Sequence, residues 1–218
     1  MQYTDYLPTI QQQDGKWINT VACPWMDRIA PTEKQKDGSV LCGQVHDPLA
    51  RILNGGISGN AGIFSNANDI GILAAALLNG GEYNGRRILS PLGVKTMCTV
   101  PRELTAFGRT PGWDIFSPYA SNKGDLFSPN TFGHTGYTGT SIIIDPDNDT
   151  AVILLVNAVH PEDRHSIVRL RSLVANAVAA SICPPAQVYT DHYYKRFLQF
   201  ETETPISPKD IVMVGDKI

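Results

Sequence analysis

The sequence has little excess charge and no long apolar run, and each absence excludes a class of protein. The net charge is only -3 over 218 residues, so we expect no nucleic-acid partner and no binding to an anionic membrane surface. No apolar run approaches the roughly 18 residues of a membrane-spanning helix. Residues 1–13 lack the charged-then-apolar pattern of a signal peptide.

Cysteines are few and far apart, and none forms a Cys-x-x-Cys pair. They are Cys23, Cys42, Cys98 and Cys183. In a chain of this length such spacing indicates neither a disulfide framework nor a zinc site. We therefore expect no metal and no cofactor. A metal site remains an alternative, although its candidate ligands lack the spacing of a zinc motif. These ligands are His46, Asp47, His134, His160 and His165.

Hydrophobic periodicity predicts two helices in the first half of the chain. Ser65 is a candidate N-cap for a helix from about Asn66 to Asn79, which Gly80-Gly81 would end. Ser90-Pro91 has the residue types of an N-cap and a first helical position, and predicts a second helix to about Val100. Residues 1–55 show no convincing helix or strand.

A long loop and a terminal helix are predicted in the second half. Residues 101–130 are rich in Pro, Gly, Ser and Asn, and indicate a loop with one short strand at about 113–116. Pro161-Glu162-Asp163 would begin the last helix, and Pro184-Pro185 would end it. Its predicted apolar stripe, which should lie on one face of a sheet, consists of Ile167, Leu170, Val174, Ala177 and Val178.

The most distinctive stretch is Thr131–Pro146, where Gly133, Gly136 and Gly139 precede an apolar run and a turn. Glycine weakens a strand and often marks the close approach of a ligand or of another backbone. The continuously apolar run at 151–156 is typical of a strand covered on both faces. We predict a glycine-rich strand and an antiparallel hairpin. The alternative is a glycine-rich loop that enters a hairpin and binds nothing.

These segments together resemble the serine β-lactamase, penicillin-binding-protein and esterase family, the β-lactamase-related serine hydrolases. His134-Thr135-Gly136 falls where that family has Lys-Thr-Gly or its His variant. Other similar segments are Val45-His46-Asp47, Gly55-Gly56, the Gly59–Ser65 loop before the Asp69 helix, and Trp113-Asp114. The resemblance covers roughly Arg28 to Ile182. It implies an α/β (α+β) fold in which helices pack on an antiparallel sheet.

One departure from the family pattern changes the expected activity. The family nucleophile lies in Ser-x-x-Lys and is accompanied by Tyr-x-Asn, and this chain contains neither motif. We therefore expect residues 1–185 to be the C-terminal part of a β-lactamase-like domain, incomplete at its N-terminal side, and residues 186–218 to be a tail or linker. We expect part of an enzyme that hydrolyses an ester, amide or β-lactam through an acyl-serine, and that is inactive alone. The alternative is a non-catalytic module that binds peptide-like or cell-wall-like ligands.

The resemblance also implies roles for the glycine-rich segment. In the family, two backbone N–H groups hold the attacked carbonyl oxygen, and one belongs to the residue after Lys/His-Thr-Gly, here Tyr137. His134 would contact the substrate or orient the base, and Thr135 and Gly136 would bind a small-molecule or peptide-like substrate along the strand edge. A missing N-terminal segment or an oligomer partner would cover the sheet edge. The family suggests a periplasmic or secreted location.

Overall fold

Residues 1–163 and 166–182 are described by a computed structural model. The helices are α1 (Pro48–Ile52), α2 (Ala67–Leu78), α3 (Pro91–Cys98) and α4 (Val168–Ile182). The strands are β1 (Asp5–Tyr6), β2 (Thr9–Gln11), β3 (Trp17–Asn19), β4 (Ile63–Phe64), β5 (Glu82–Tyr83), β6 (Arg86–Arg87), β7 (Phe132–Thr135), β8 (Ser141–Asp145) and β9 (Thr150–Leu154). Short 3-10 helices span Met26–Arg28, Arg102–Phe107 and Pro118–Lys123. Helices with antiparallel sheets confirm the predicted fold class.

The sheet that positions the site contains β7, β8 and β9 in that order, with antiparallel pairing throughout. The predicted hairpin is confirmed as β8 and β9. The prediction of one glycine-rich strand is wrong, because β7 ends at Thr135 and a tight loop at 136–140 separates it from β8. In that loop the Gly136 N–H donates to the Thr140 carbonyl at 2.7 Å, and the Gly139 N–H donates to the Gly136 carbonyl at 3.1 Å.

Helices cover both faces of this sheet. Successive side chains of a strand point to opposite faces, so neighbouring residues of β8 contribute to two different clusters. Ala74 and Leu77 of α2 pack with Phe132 and Ile144 on one face. On the other face, apolar residues of β8 and β9 pack against small residues of α4. This second cluster contains Phe127, Ile143, Val152, Ala175 and Ala179. The predictions of a doubly covered strand run and of a terminal helix on the sheet are confirmed.

The helix ends differ in part from those predicted. The N-cap of α2 is Asn66, whose side chain accepts from the Asp69 N–H at 2.9 Å, whereas the Ser65 hydroxyl bonds the Thr4 hydroxyl at 2.7 Å. The Ser90 cap of α3 is confirmed by its bond from the Gly93 N–H at 3.0 Å, although the helix ends at Cys98.

The last helix begins later and buries a different stripe than its sequence predicts. It starts at Val168, because 161–163 lie in a loop. Its buried residues are Arg171, Ala175 and Ala179, while Leu170 and Ala177 are exposed. Small alanines let the helix approach the sheet closely, which larger apolar residues would prevent. The predicted end at Pro184-Pro185 and the tail 186–218 lie outside the described residues.

Short strands replace the irregular structure predicted for the first 55 residues. β1 pairs with β4, and β2 pairs with β3, both antiparallel. Strands of two or three residues are too short for a two-residue periodicity to be recognised. The short strand predicted at 113–116 is only an isolated bridge at Asp114. Residues Met1–Ala179 form one structural unit. The predicted boundary at 185 lies outside the described residues and stays a prediction.

Candidate active site

The outer edge of β7 is paired at Gly133, and among the described residues no other backbone group bonds this edge beyond it. Asp114 and Gly133 exchange two backbone hydrogen bonds of 2.9 and 3.0 Å on the side away from β8. A Cβ at Gly133 would lie 2.4 Å from the Ile142 carbonyl oxygen, so only glycine fits there. The predicted contact of a substrate with the strand edge is therefore restricted to the segment that follows Gly133.

The loop at 136–140 is fastened to the chain that follows β9. Gly139 has a φ of +124°, and a Cβ there would lie 2.5 Å from the Val156 carbonyl oxygen. The Ala158 N–H donates to the Thr138 carbonyl at 2.7 Å. The loop is thus fixed in one position by the backbone conformation of Gly139, which favours glycine, and by the hydrogen bond between Ala158 and Thr138.

Tyr137 lies at the tip of this fixed loop with 74% of its surface exposed. Among the described residues, its backbone N–H has no hydrogen-bond acceptor, whereas the N–H groups of Gly136 and Gly139 both donate within the loop. A fixed N–H that can donate to an external acceptor is the feature required of an oxyanion-binding group.

The Tyr137 side chain connects this loop to two other segments. Its hydroxyl donates to the Asp163 carboxylate, and this hydrogen bond raises the pKa of Tyr137. Its ring stacks on the His46 ring at a centroid distance of 5.6 Å. The His46 Nε2 lies 3.1 Å from a carboxylate oxygen of Glu33. The segment around His46, noted in the sequence for its resemblance and as a candidate metal ligand, therefore contacts the predicted site.

His134 is exposed and has a defined set of partners. Its Nδ1 lies 2.9 Å from the Thr135 carbonyl oxygen, and its Nε2 lies 3.3 Å from Nη2 of Arg109. A guanidinium group can only donate, so these contacts assign the neutral tautomer, with Nδ1 protonated and Nε2 accepting. Arg109 is held in turn by the buried carboxylate of Asp114 at 2.9 Å. Thr135, half-buried, pairs with Ser141 of β8.

Two buried arginines, neither predicted from the sequence, hold the loops that meet at Tyr137. Arg171 of α4 is 8% exposed, and its Nη2 donates to the carbonyls of Gly136 at 2.9 Å and Thr140 at 3.1 Å. Burial lowers the pKa of Arg171. Arg51 of α1 donates to the carbonyls of Val45 and His46 at 2.6 and 3.0 Å. An arginine within an otherwise apolar helix stripe was the available sequence signal for Arg171.

Four of the five candidate metal ligands lie in the described residues, and each has another partner. Among residues 1–163 and 166–182, no group of three or more His, Cys, Asp or Glu side chains is placed to hold a metal ion. His160 bonds the Thr32 carbonyl at 2.7 Å, and Asp47 caps α1. His165 lies outside the described residues. In the same part of the chain, none of the helices has the length and apolar character to cross a membrane.

Comparison with known proteins places the chain in a class. The model of the Beta-lactamase family matches residues 22–176, and the chain belongs to this family. This confirms the predicted relationship to the serine hydrolases.

Individual relatives match a shorter stretch. A protein of Escherichia coli K12 named "Putative D-alanyl-D-alanine carboxypeptidase" is 42% identical over 124 residues, which are 56% of this chain and 28% of the relative. A protein of the same name from Escherichia coli O157:H7 is 43% identical over 54% of this chain and 27% of the relative. Another, from Salmonella gallinarum, is 40% identical over 56% of this chain and 28% of the relative. The matched region is thus under a third of each relative.

Proposed function

We propose that this chain forms the oxyanion side of the cleft of a serine hydrolase that cleaves an ester, amide or β-lactam through an acyl-serine. The main support is the Tyr137 backbone N–H, which follows His134-Thr135-Gly136, lies in a fixed loop and has no acceptor among the described residues. The names of the relatives favour an amide of the D-alanyl-D-alanine type as substrate.

The geometry suggests how the chain would act on such a substrate. When a serine attacks the carbonyl carbon, the carbonyl oxygen gains negative charge, and the Tyr137 N–H would donate a hydrogen bond to it. One such donor contributes about 3 kcal/mol to transition-state stabilisation. The family resemblance assigns the second donor to the serine itself. The substrate backbone would lie against Thr135 and Gly136 beside β7, beyond the point where Asp114 occupies the edge. Gly136 would allow close approach and would not itself donate or accept, because its N–H and its carbonyl are bonded to Thr140, Gly139 and Arg171.

We further propose that the 218-residue chain forms no acyl-serine by itself, since none of its serines is followed by lysine three residues later. The purified chain should show no burst with a chromogenic ester or β-lactam. A fluorophosphonate probe followed by peptide mass spectrometry should label no serine. Stoichiometric labelling of one serine would contradict this part of the proposal.

A non-catalytic binding role is the second candidate, and the same open edge from His134 to Tyr137 favours it. Titration of ¹⁵N-labelled chain with D-alanyl-D-alanine should perturb the amide resonances of Gly136 and Tyr137 in either case. Binding that perturbs a different region would contradict the assigned site. Calorimetry that shows no binding of peptide-like ligands to the folded chain would exclude the binding module.

We also propose that a further segment or a second copy covers the edge of β9. Within the described residues no strand pairs with the outer side of β9, and Leu155 just beyond it is 46% exposed. Unpaired strand edges promote association. Sedimentation and thermal unfolding at low concentration would test this, and a sharp cooperative transition of a dilute monomer would contradict it.

A further inference from the structure

We infer that Arg171 is a positioning residue that orients and polarises the Tyr137 backbone N–H by holding the Gly136 carbonyl. This inference rests on the proposed function, because it assigns a role to Arg171 only if the Tyr137 N–H meets a substrate oxygen. Arg171 lies on α4, far along the chain from Tyr137, and contacts both ends of the 136–140 loop.

The orientation follows from the geometry of a single peptide group. The Gly136 carbonyl and the Tyr137 N–H belong to the same planar unit, and in a trans peptide the two bonds point in opposite directions. Arg171 Nη2 holds that carbonyl oxygen at 2.9 Å on the side of α4. The N–H must therefore point away from α4. The bond from the same nitrogen to the Thr140 carbonyl at 3.1 Å fixes the other end of the loop.

The charge of Arg171 adds a second effect. A guanidinium group stays protonated in proteins. A hydrogen bond from a cation is stronger than one from a neutral donor, and hydrogen bonds in series polarise one another. A cation at the Gly136 carbonyl oxygen therefore withdraws electrons from the peptide group and makes the Tyr137 N–H a better donor to a negatively charged oxygen.

Stability alone does not account for this arginine. Burying a charge is costly unless it is paired, and a well-packed apolar side chain of similar volume is often at least as stabilising. Among the described residues, Arg171 has no carboxylate partner, and its buried Nε has no acceptor. Its neighbours on the same buried stripe of α4 are Ala175 and Ala179. A feature that departs from simple packing in this way is expected at a functional site.

The test uses the ¹⁵N-labelled 218-residue chain with Arg171→Met, Arg171→Lys and, as control, Arg169→Met. Arg169 is exposed on the same helix, so its loss removes one charge from α4 without a loop contact. We expect Arg171→Met to shift the Tyr137 amide proton resonance upfield and to slow its base-catalysed hydrogen exchange. Arg171→Lys should change the Tyr137 resonance and exchange rate less than Arg171→Met does, and Arg169→Met should change neither quantity. A merely structural role predicts faster exchange in Arg171→Met, because the loop would loosen.

An unchanged Tyr137 resonance and exchange rate in a folded Arg171→Met chain would overturn the inference, and so would faster exchange. If Arg171→Met does not fold, a measurement on the unaltered chain tests the inference instead. In a chain labelled with both ¹³C and ¹⁵N, the Gly136 carbonyl carbon should show a scalar coupling across the hydrogen bond to an Arg171 side-chain nitrogen at low temperature. Absence of this coupling would overturn the inference.

Titration with D-alanyl-D-alanine separates this inference from the proposed function. The ligand should perturb the Tyr137 amide in the unaltered chain, and several-fold more ligand should be needed in Arg171→Met. No perturbation in the unaltered chain would contradict the proposed function. Equal titration of both chains would instead contradict the positioning role and leave the proposed function supported.

Discussion

The two ends of the β7–β8–β9 sheet treat their polar groups in opposite ways. At one end, Asp145 is fully buried and its carboxylate accepts four hydrogen bonds, from the Ser128 N–H and hydroxyl, the Asp147 N–H and the Asn148 side chain, at 2.7 to 3.0 Å. At the other end, the Tyr137 N–H and the Arg171 Nε have no acceptor among the described residues. A buried polar group with all its partners stabilises the fold, whereas an unpartnered group departs from simple packing, as groups at functional sites often do.

The pKa of Asp145 reflects this difference. Burial acts to raise it, but the hydrogen bonds from Ser128, Asn148 and Asp147 favour the charged form and outweigh burial. The net pKa therefore lies below the ordinary value for aspartate. Ionisation of Asp145 therefore stabilises the fold at this end of the sheet. Substitutions at the two ends should differ in their effect on the free energy of unfolding.

The largest effect on stability is expected for Asp145→Ala. It removes the acceptor of four hydrogen bonds in a buried region, and the free energy of unfolding should fall by about 3 kcal/mol. Urea denaturation measures this. Asp147→Ala, at an exposed position of the same turn, is the matched control and should change stability by no more than about 0.5 kcal/mol. Equal effects of the two changes would abolish the distinction between the buried and exposed acids.

Gly139→Ala should have the next largest effect, and it acts at the Tyr137 end. The positive φ and the approach to the Val156 carbonyl oxygen leave no room for a Cβ. We expect a loss of about 2 kcal/mol in the free energy of unfolding. Gly59→Ala is the control, because a Cβ there meets open space and φ is not in the left-handed region. A Gly139→Ala chain as stable as Gly59→Ala would show that the loop is not fixed.

A smaller effect concerns the pH dependence of stability. Because the folded pKa of Asp145 lies below its unfolded value of about 3.9, ionisation adds stability above that value, and this is lost as pH falls through the folded pKa. The difference in unfolding free energy between the unaltered chain and Asp145→Asn should therefore shrink below about pH 4. If this difference in unfolding free energy stays constant below about pH 4, the folded state does not stabilise the Asp145 carboxylate.

The smallest effect is expected for Tyr137→Phe, which removes only the hydroxyl bond to Asp163 at an exposed site. The urea midpoint at neutral pH should not change measurably. Because the folded pKa of Tyr137 is raised, its contribution is present below the unfolded value of about 10 and is lost as pH rises through the folded pKa. In the variant, spectrophotometric titration should lose one tyrosine that titrates above the unfolded value. Loss only of an early-titrating tyrosine would contradict the hydrogen bond.

Local patterns in the sequence predicted much of this sheet and its helices. Periodicity and the Ser90-Pro91 cap predict α2 and α3, and the apolar runs predict β8 and β9. The family resemblance, and not periodicity, selected Tyr137 as a site residue. The contacts of Arg171 could not be predicted, because its partners are two carbonyls of a loop distant in sequence. Asp145 has the sequence of an ordinary turn residue, and only tertiary packing buries it.

The most direct test transfers residues 22–176 of this chain, the range of the family match, into the corresponding place in the Escherichia coli K12 relative. Release of D-alanine from a D-alanyl-D-alanine peptide is then measured, with the unaltered relative as reference. Tyr137→Pro removes the backbone N–H, while Tyr137→Phe keeps it. We predict that Tyr137→Pro lowers kcat by about 10²- to 10³-fold and that Tyr137→Phe leaves it nearly unchanged. Equal rates for Tyr137→Pro and Tyr137→Phe in a folded chimera would contradict the assignment of this amide as the oxyanion donor.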